Sequence, residues 1–171
     1  ALARFSEVGL PEKKNEQYKY TPITKTLEKE FSEAHTQSAQ PFSEVVKEQV
    51  KKHLLDTEAN HLVFINGKYI EDLSTIISPE DQLRICTLNK AFTQYPDVIA
   101  QYLSKVADVD SDPFIALNTA YTQEGVFLHV PKSKVVESPV ITYFFTDVST
   151  DNVMVHPRNL CIVEENAQIK M

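Results

Sequence analysis

The hydrophobic positions of this chain change period along its length. Phe42, Val45, Val46, Val50 and Leu54 recur at helical spacing after Pro41 and line one face of an amphipathic helix. The stretch HLVFINGKYI then turns β-favouring, and its Asn66-Gly67 pair predicts a hairpin over about residues 61–70, because both residues tolerate positive φ. Leu83 to Leu88 alternates imperfectly and reads as a short strand. Pro96 sits where a helix's first turn would hold it, and Val98, Ile99, Tyr102, Leu103 and Val106 continue as one helical stripe. Asp112 and Pro113 predict another helix start. Its apolar face runs through Phe114, Leu117, Ala120 and Tyr121, and Gly125 is expected to end it.

Beyond Gly125 the period is two. Val126, Leu128 and Val130 oppose Phe127 and His129; Val135-Val136 is brief. Val140, Thr142 and Phe144 oppose Ile141, Tyr143 and Phe145, and Leu160 and Ile162 oppose Cys161 and Val163. Pro131, Pro139 and Pro157 separate these runs, where proline can shape a corner but cannot donate to a ladder. Short strands joined by corners fit a sandwich, a barrel or a β-helix, and periodicity does not choose among them. The segment up to about residue 30, with Pro11 and Pro22, reads as an exposed lead-in with short helical pieces.

Composition narrows the function classes. A net charge of -7 opposes a bare nucleic-acid surface or an anionic membrane, both of which need clustered cations. The one basic cluster, Lys51-Lys52-His53, reads as a solvated helix face. Two distant cysteines, Cys86 and Cys161, suit reduced thiols better than a disulfide framework or a zinc knuckle. With neither a secretory leader nor a membrane-spanning run in view, a cytoplasmic protein is expected. The chain does not open with methionine, so a piece of a longer protein is expected too.

Candidate chemistry is sparse. No phosphate-cradling glycine motif occurs, and no G-x-S-x-G nucleophile signature. His129, His156 and Cys161 are the tempting metal ligands, but a satisfied or surface histidine is the commoner state. Glu164-Glu165 would point to opposite faces of a strand, which denies them a shared substrate. They are expected to solvate a turn before Asn166. Tyr143-Phe144-Phe145 could stack a base or sugar, yet core on one side and interface on the other is the plainer expectation.

DPFIALNTA, GVFLHVPK and PRNLCIVEENA, in that order, resemble the SufB/SufD family of iron–sulfur cluster assembly proteins, and SufD more than SufB. EQYKYTPI and VFINGKYIEDLS extend the resemblance over nearly the whole chain, with Tyr18 standing where related sequences often carry Trp. The resemblance implies an α+β protein: a mostly helical N-terminal domain (1–124) with a small hairpin, followed by the first rungs of a parallel β-helix (125–171). It also implies a non-enzymatic scaffold that works with a SufB-like subunit and the SufC ATPase. The cluster would be handled by the full complex, and no catalytic, cofactor-binding or metal residue carries over to this chain.

Two rival classes remain at this point. A β-helix acyltransferase would show a strict six-residue period with glycine at its turns, which is missing. A ligand- or carbohydrate-binding β module draws on the aromatic run and is weakened by the absence of Trp. If the solenoid reading holds, an open last rung is expected to self-associate, with Pro139 to Phe145 as the contact.

Overall fold

The computed structural model describes residues 1–12, 14–21, 23–30, 42–122, 124–147 and 153–171. Pro22 and Pro41, two of the prolines read as punctuation, lie outside them. The described helices are α1 (Leu2–Val8), α2 (Thr24–Glu30), α3 (Glu44–Lys51), α4 (Leu88–Gln94), α5 (Pro96–Tyr102) and α6 (Pro113–Tyr121). The strands are β1 (Asn60–Ile65), β2 (Lys68–Tyr69), β3 (Arg84–Thr87), β4 (Val126–Val130), β5 (Val140–Phe145) and β6 (Leu160–Val163). The fold is α+β, with two small mixed sheets ordered β2-β1-β5 and β3-β4-β6.

Local chemistry accounts for several of these elements. Asn66 (φ 48°) and Gly67 (φ 76°) make the hairpin turn that brings Phe64 opposite Tyr69 and Ile65 opposite Lys68. The Ser43 hydroxyl accepts from Val46 N–H to start α3, and the Thr87 hydroxyl accepts from Lys90 N–H to start α4. Pro96 takes the first position of α5. Two expected stripes are shorter than their spacing implied. Val45 is 71% exposed, so α3 packs through Val46 and Val50, with Phe42 before it and Leu54 after it joining the same cluster. Val106 is 96% exposed, because α5 stops at Tyr102, Leu103 turns extended and Ser104 takes φ 61°.

The two sheets lie face to face. Leu62 and Phe64 of β1 meet Val126, Leu128 and Val130 of β4, with Val136 and Val140 completing that core. The outer face of the first sheet, Val63 and Ile65, is covered by Val50 of α3 with Ile70 and Leu73. The outer face of the second, Phe127 and Ile162, is covered by Leu88 and Ala91 of α4 and Ile99 of α5. β4 is therefore buried at every position. Each large apolar side chain removed from water there contributes roughly 1.5–3 kcal/mol. Val135-Val136, read as a short strand, supplies only a single bridge, Val135 to Gln168.

Both sheets draw strands from either side of Gly125. β5 runs parallel to β1, and β6 runs parallel to β4, while β3 joins β4 antiparallel. The β4–β6 pairing continues past the strands with a constant step: Phe127 faces Leu160, Val130 faces Val163 and Val135 bridges Gln168. Side-chain bonds keep the same separation of 33, as in Val126 N–H to Asn159 Oδ1 and Lys132 Nζ to Glu165 Oε2. The corners repeat as well. Lys134 N–H donates to Pro131 O at 3.2 Å and Ala167 N–H to Glu164 O at 3.0 Å. Ser133 (φ 61°) and Asn166 (φ 58°) hold the left-handed residue of each.

The N-terminal segment is attached to this body. α1 lies against α6, Arg4 pairs with Asp110 at 2.6 Å, and the Tyr18 ring packs edge-on against Phe114. The lead-in is exposed over much of its length, as expected, but it is anchored at Arg4 and Tyr18.

Candidate functional site

The junction between α6 and β4 is tied by several hydrogen bonds and a close backbone approach. Asp112 Oδ1 accepts from Phe114 N–H at 2.7 Å and Ile115 N–H at 3.3 Å, which satisfies the first free amides of α6. The helix ends at Tyr121, ahead of Gly125, so Gly125 is not its stop residue. Its role is close approach: a Cβ there would sit 1.8 Å from Arg158 O. Segment 157–159 lies directly over the junction. Asn118 Nδ2 donates to Pro157 O at 3.1 Å, Arg158 N–H to Glu124 O at 3.0 Å, and Val126 N–H to Asn159 Oδ1 at 2.9 Å.

Beside this clamp opens a cleft of about 580 Å³, bounded by the end of α5, by α6 and by residues 157–161. Its size falls in the range of small-molecule sites. The walls are mostly apolar, from Leu103, Val106, Phe114, Ile115 and Leu160, with Arg158 as the charged member. The Arg158 guanidinium donates to the Thr119 hydroxyl, and among the described residues it forms no ion pair with a carboxylate. Burial lowers its pKa from the ordinary arginine value. It remains a cation at neutral pH all the same.

The residues singled out in the sequence are dispersed around the fold. His129, buried in β4, places Nε2 2.7 Å from Glu164 Oε1, while its buried Nδ1 has no hydrogen-bond partner among the described residues. His156 packs its ring on Tyr121, and Cys161 lies at the cleft with its Sγ 3.9 Å from Met171 Sδ. Among the described residues no group of three His, Cys, Asp or Glu side chains converges on a point that could hold a metal. Glu164 and Glu165 follow β6 in the corner holding Asn166. Both turn toward Lys132, Glu164 taking its N–H at 2.8 Å and Glu165 its ammonium at 2.5 Å.

The aromatic run divides by face. Tyr143 and Phe145 join the core under α3, while Phe144, 44% exposed, stacks on Phe64 with centroids 5.0 Å apart. Lys51 pairs with Glu48 and Lys52 bonds Gln49 on the exposed side of α3. Burial pushes the Cys86 thiol up to about 11 against the pull of Lys90, which leaves it protonated and unreactive at neutral pH.

Two important residues carried no sequence signal of their own. Arg158 is a lone cation between a proline and an asparagine. Asn60 is wholly buried, where its Nδ2 donates to Ser78 Oγ, Ser138 O and Pro139 O and its Oδ1 accepts from the N–H groups of Ile77 and Ser78.

Residues 1–141 match the model of the SufBD protein N-terminal region. The chain belongs to the SufB/SufD family. Among its relatives, a SufBD-family iron–sulfur cluster assembly protein of Synechocystis is 27% identical over 165 residues, covering 96% of this chain and 35% of that protein. The iron–sulfur cluster assembly protein SufB of Bacillus subtilis is 25% identical, over 88% of this chain and 31% of SufB. A chloroplast-type relative of the same family in Arabidopsis thaliana is 31% identical over half of this chain and 15% of its own length. This SufB/SufD-family chain thus spans about a third or less of the relatives it matches.

Proposed function

We propose that this chain is the N-terminal part of a scaffold subunit in a cytoplasmic iron–sulfur cluster assembly complex, SufD-like rather than SufB-like and without catalysis of its own. The observation that carries the reading is the SufBD N-terminal match over residues 1–141. The recurring step of 33 residues between β4 and β6, with its repeated corner, supports the accompanying fold proposal: these strands begin a parallel β-helix.

On this reading the helical layers brace the first coil, and the rest of the solenoid carries the contacts to a SufB-like subunit and a SufC-like ABC ATPase. The cluster and its iron are cargo of that complex. No helix among the described residues is long and apolar enough to cross a membrane, which is compatible with the cytoplasmic assignment.

The test is affinity capture of the full-length gene product from its own cell extract, with the recovered proteins identified by mass spectrometry. Stoichiometric recovery of a SufB-like subunit and an ABC-type ATPase is expected. Recovery of neither, under conditions where the bait is folded, overturns the proposal.

A further inference from the structure

We propose that the cleft between α5, α6 and segment 157–161 binds an amphipathic small-molecule anion, its acidic group on Arg158 and its apolar body against Leu103, Phe114 and Leu160. Nothing in the scaffold reading requires such a site. Three observations converge on it. Arg158 is a partly buried cation whose side chain is met by a neutral hydroxyl and by no carboxylate among the described residues. Removing a guanidinium from water without a counter-charge is unfavourable, and a bound anion would offset that cost through charge-assisted hydrogen bonds.

The backbone of Arg158 is also held rigidly, by the bond to Glu124 O and by contact with Gly125. A ligand would therefore meet a group already positioned, which lessens the ordering cost of binding. Finally, apolar side chains stand at the rim, where Val106 is 96% and Tyr102 39% exposed in this chain. A protein partner needs a contact of roughly 800 Å² on each side, far more than the floor of one cleft, so the occupant that fits is a small molecule.

The experiment is a fluorescence titration of the chain with 8-anilinonaphthalene-1-sulfonate and with N-phenyl-1-naphthylamine, an apolar relative lacking the sulfonate. Backbone NMR shifts locate the bound dye. Saturable sulfonate binding with shifts at Leu103, Phe114 and Cys161 is expected. Arg158→Gln should weaken it by about ten- to a hundredfold, the worth of a charge-assisted hydrogen bond, and leave the neutral dye within twofold or so. Val106→Glu guards against a folding defect in that variant, because its position is almost wholly exposed. The added carboxylate should weaken sulfonate binding several-fold with an unchanged melting curve. Wild-type sulfonate affinity in either folded variant, shifts outside the cleft, or no saturable binding overturns the proposal.

Discussion

The Tyr18 hydroxyl donates to Asp112 Oδ2 at 2.5 Å, across 94 residues of sequence, while the other oxygen of the same carboxylate caps α6. One side chain thus starts a helix and moors the N-terminal segment. Tyr18→Phe is expected to cost about 1 kcal/mol in urea unfolding, and Asp112→Ala about 2 kcal/mol, since the second change also removes the cap. The double mutant should fall short of the sum, because both changes remove the same bond. Burial first, and then the bond to Asp112, raise the Tyr18 phenol to about 12. Its contribution is accordingly complete below the unfolded value of 10.0 and is lost as pH climbs through about 12.

Gly125→Ala should be among the most damaging single-methyl changes in the chain. The new Cβ would meet the carbonyl of Arg158, a backbone atom held by its neighbours, rather than a side chain that can rotate away. A loss of about 3 kcal/mol or more is expected in a chemical melt, with Arg158 and Asn159 amides exchanging faster in hydrogen-exchange measurements.

Asn60→Ala is expected to destabilise by about 3 kcal/mol, since it strands the Ile77 and Ser78 amides and the Ser138 carbonyl, while the Pro139 carbonyl keeps its bond from the residue-60 backbone N–H. Asn60→Asp should be worse, although it is nearly isosteric. An added carboxylate oxygen would face the Ser138 and Pro139 carbonyls where an N–H₂ now donates. Comparing the two variants by thermal melting separates lost bonds from lost volume.

The His129–Glu164 contact joins β4 to the corner after β6, and acidification should loosen it. The bond to His129 first, and the Lys132 amide second, hold the Glu164 carboxyl below its ordinary 4.5. A depressed folded value means this contribution is complete above 4.5 and is lost as pH falls through the lower, folded value. Glu164→Gln should therefore flatten the acid limb of a stability–pH curve below 4.5 and lower the curve by a constant amount above it. An unchanged acid limb would remove the latch from the account.

How much of this was readable beforehand follows from the range of each interaction. The Asn66-Gly67 hairpin and the Asp112-Pro113 helix start depend on residues within four of one another, so their signals are local and visible. The strand periods were visible for the same reason, and the opposing faces of β4 separate into distinct cores as the alternation implied. Pairing was not readable: β1 meets β5 in parallel register, Asn60 against Val140, and periodicity is silent on partners. Gly125 shows the limit from the other side. A glycine after a helical stripe reads as a stop, but the demand for it comes from Arg158, distant in sequence. Val106 fits a helical stripe on paper, and the extended turn at Leu103 and Ser104 takes it out of the packing. Arg158 and Asn60 matter through surroundings assembled only on folding.

The matched corners at Ser133 and Asn166 make segment length a shared quantity. Between Phe127 and Val135, and between Leu160 and Gln168, the chain must travel the same number of residues for both ends to meet their partners. A residue deleted from 131–134 alone would leave one end of the ladder in register and throw the other out. A matching deletion in 164–167 would restore the alignment. Insertions and deletions in this protein are therefore coupled across the joint like teeth on two meshed gears, and tolerance for them must be tested in pairs.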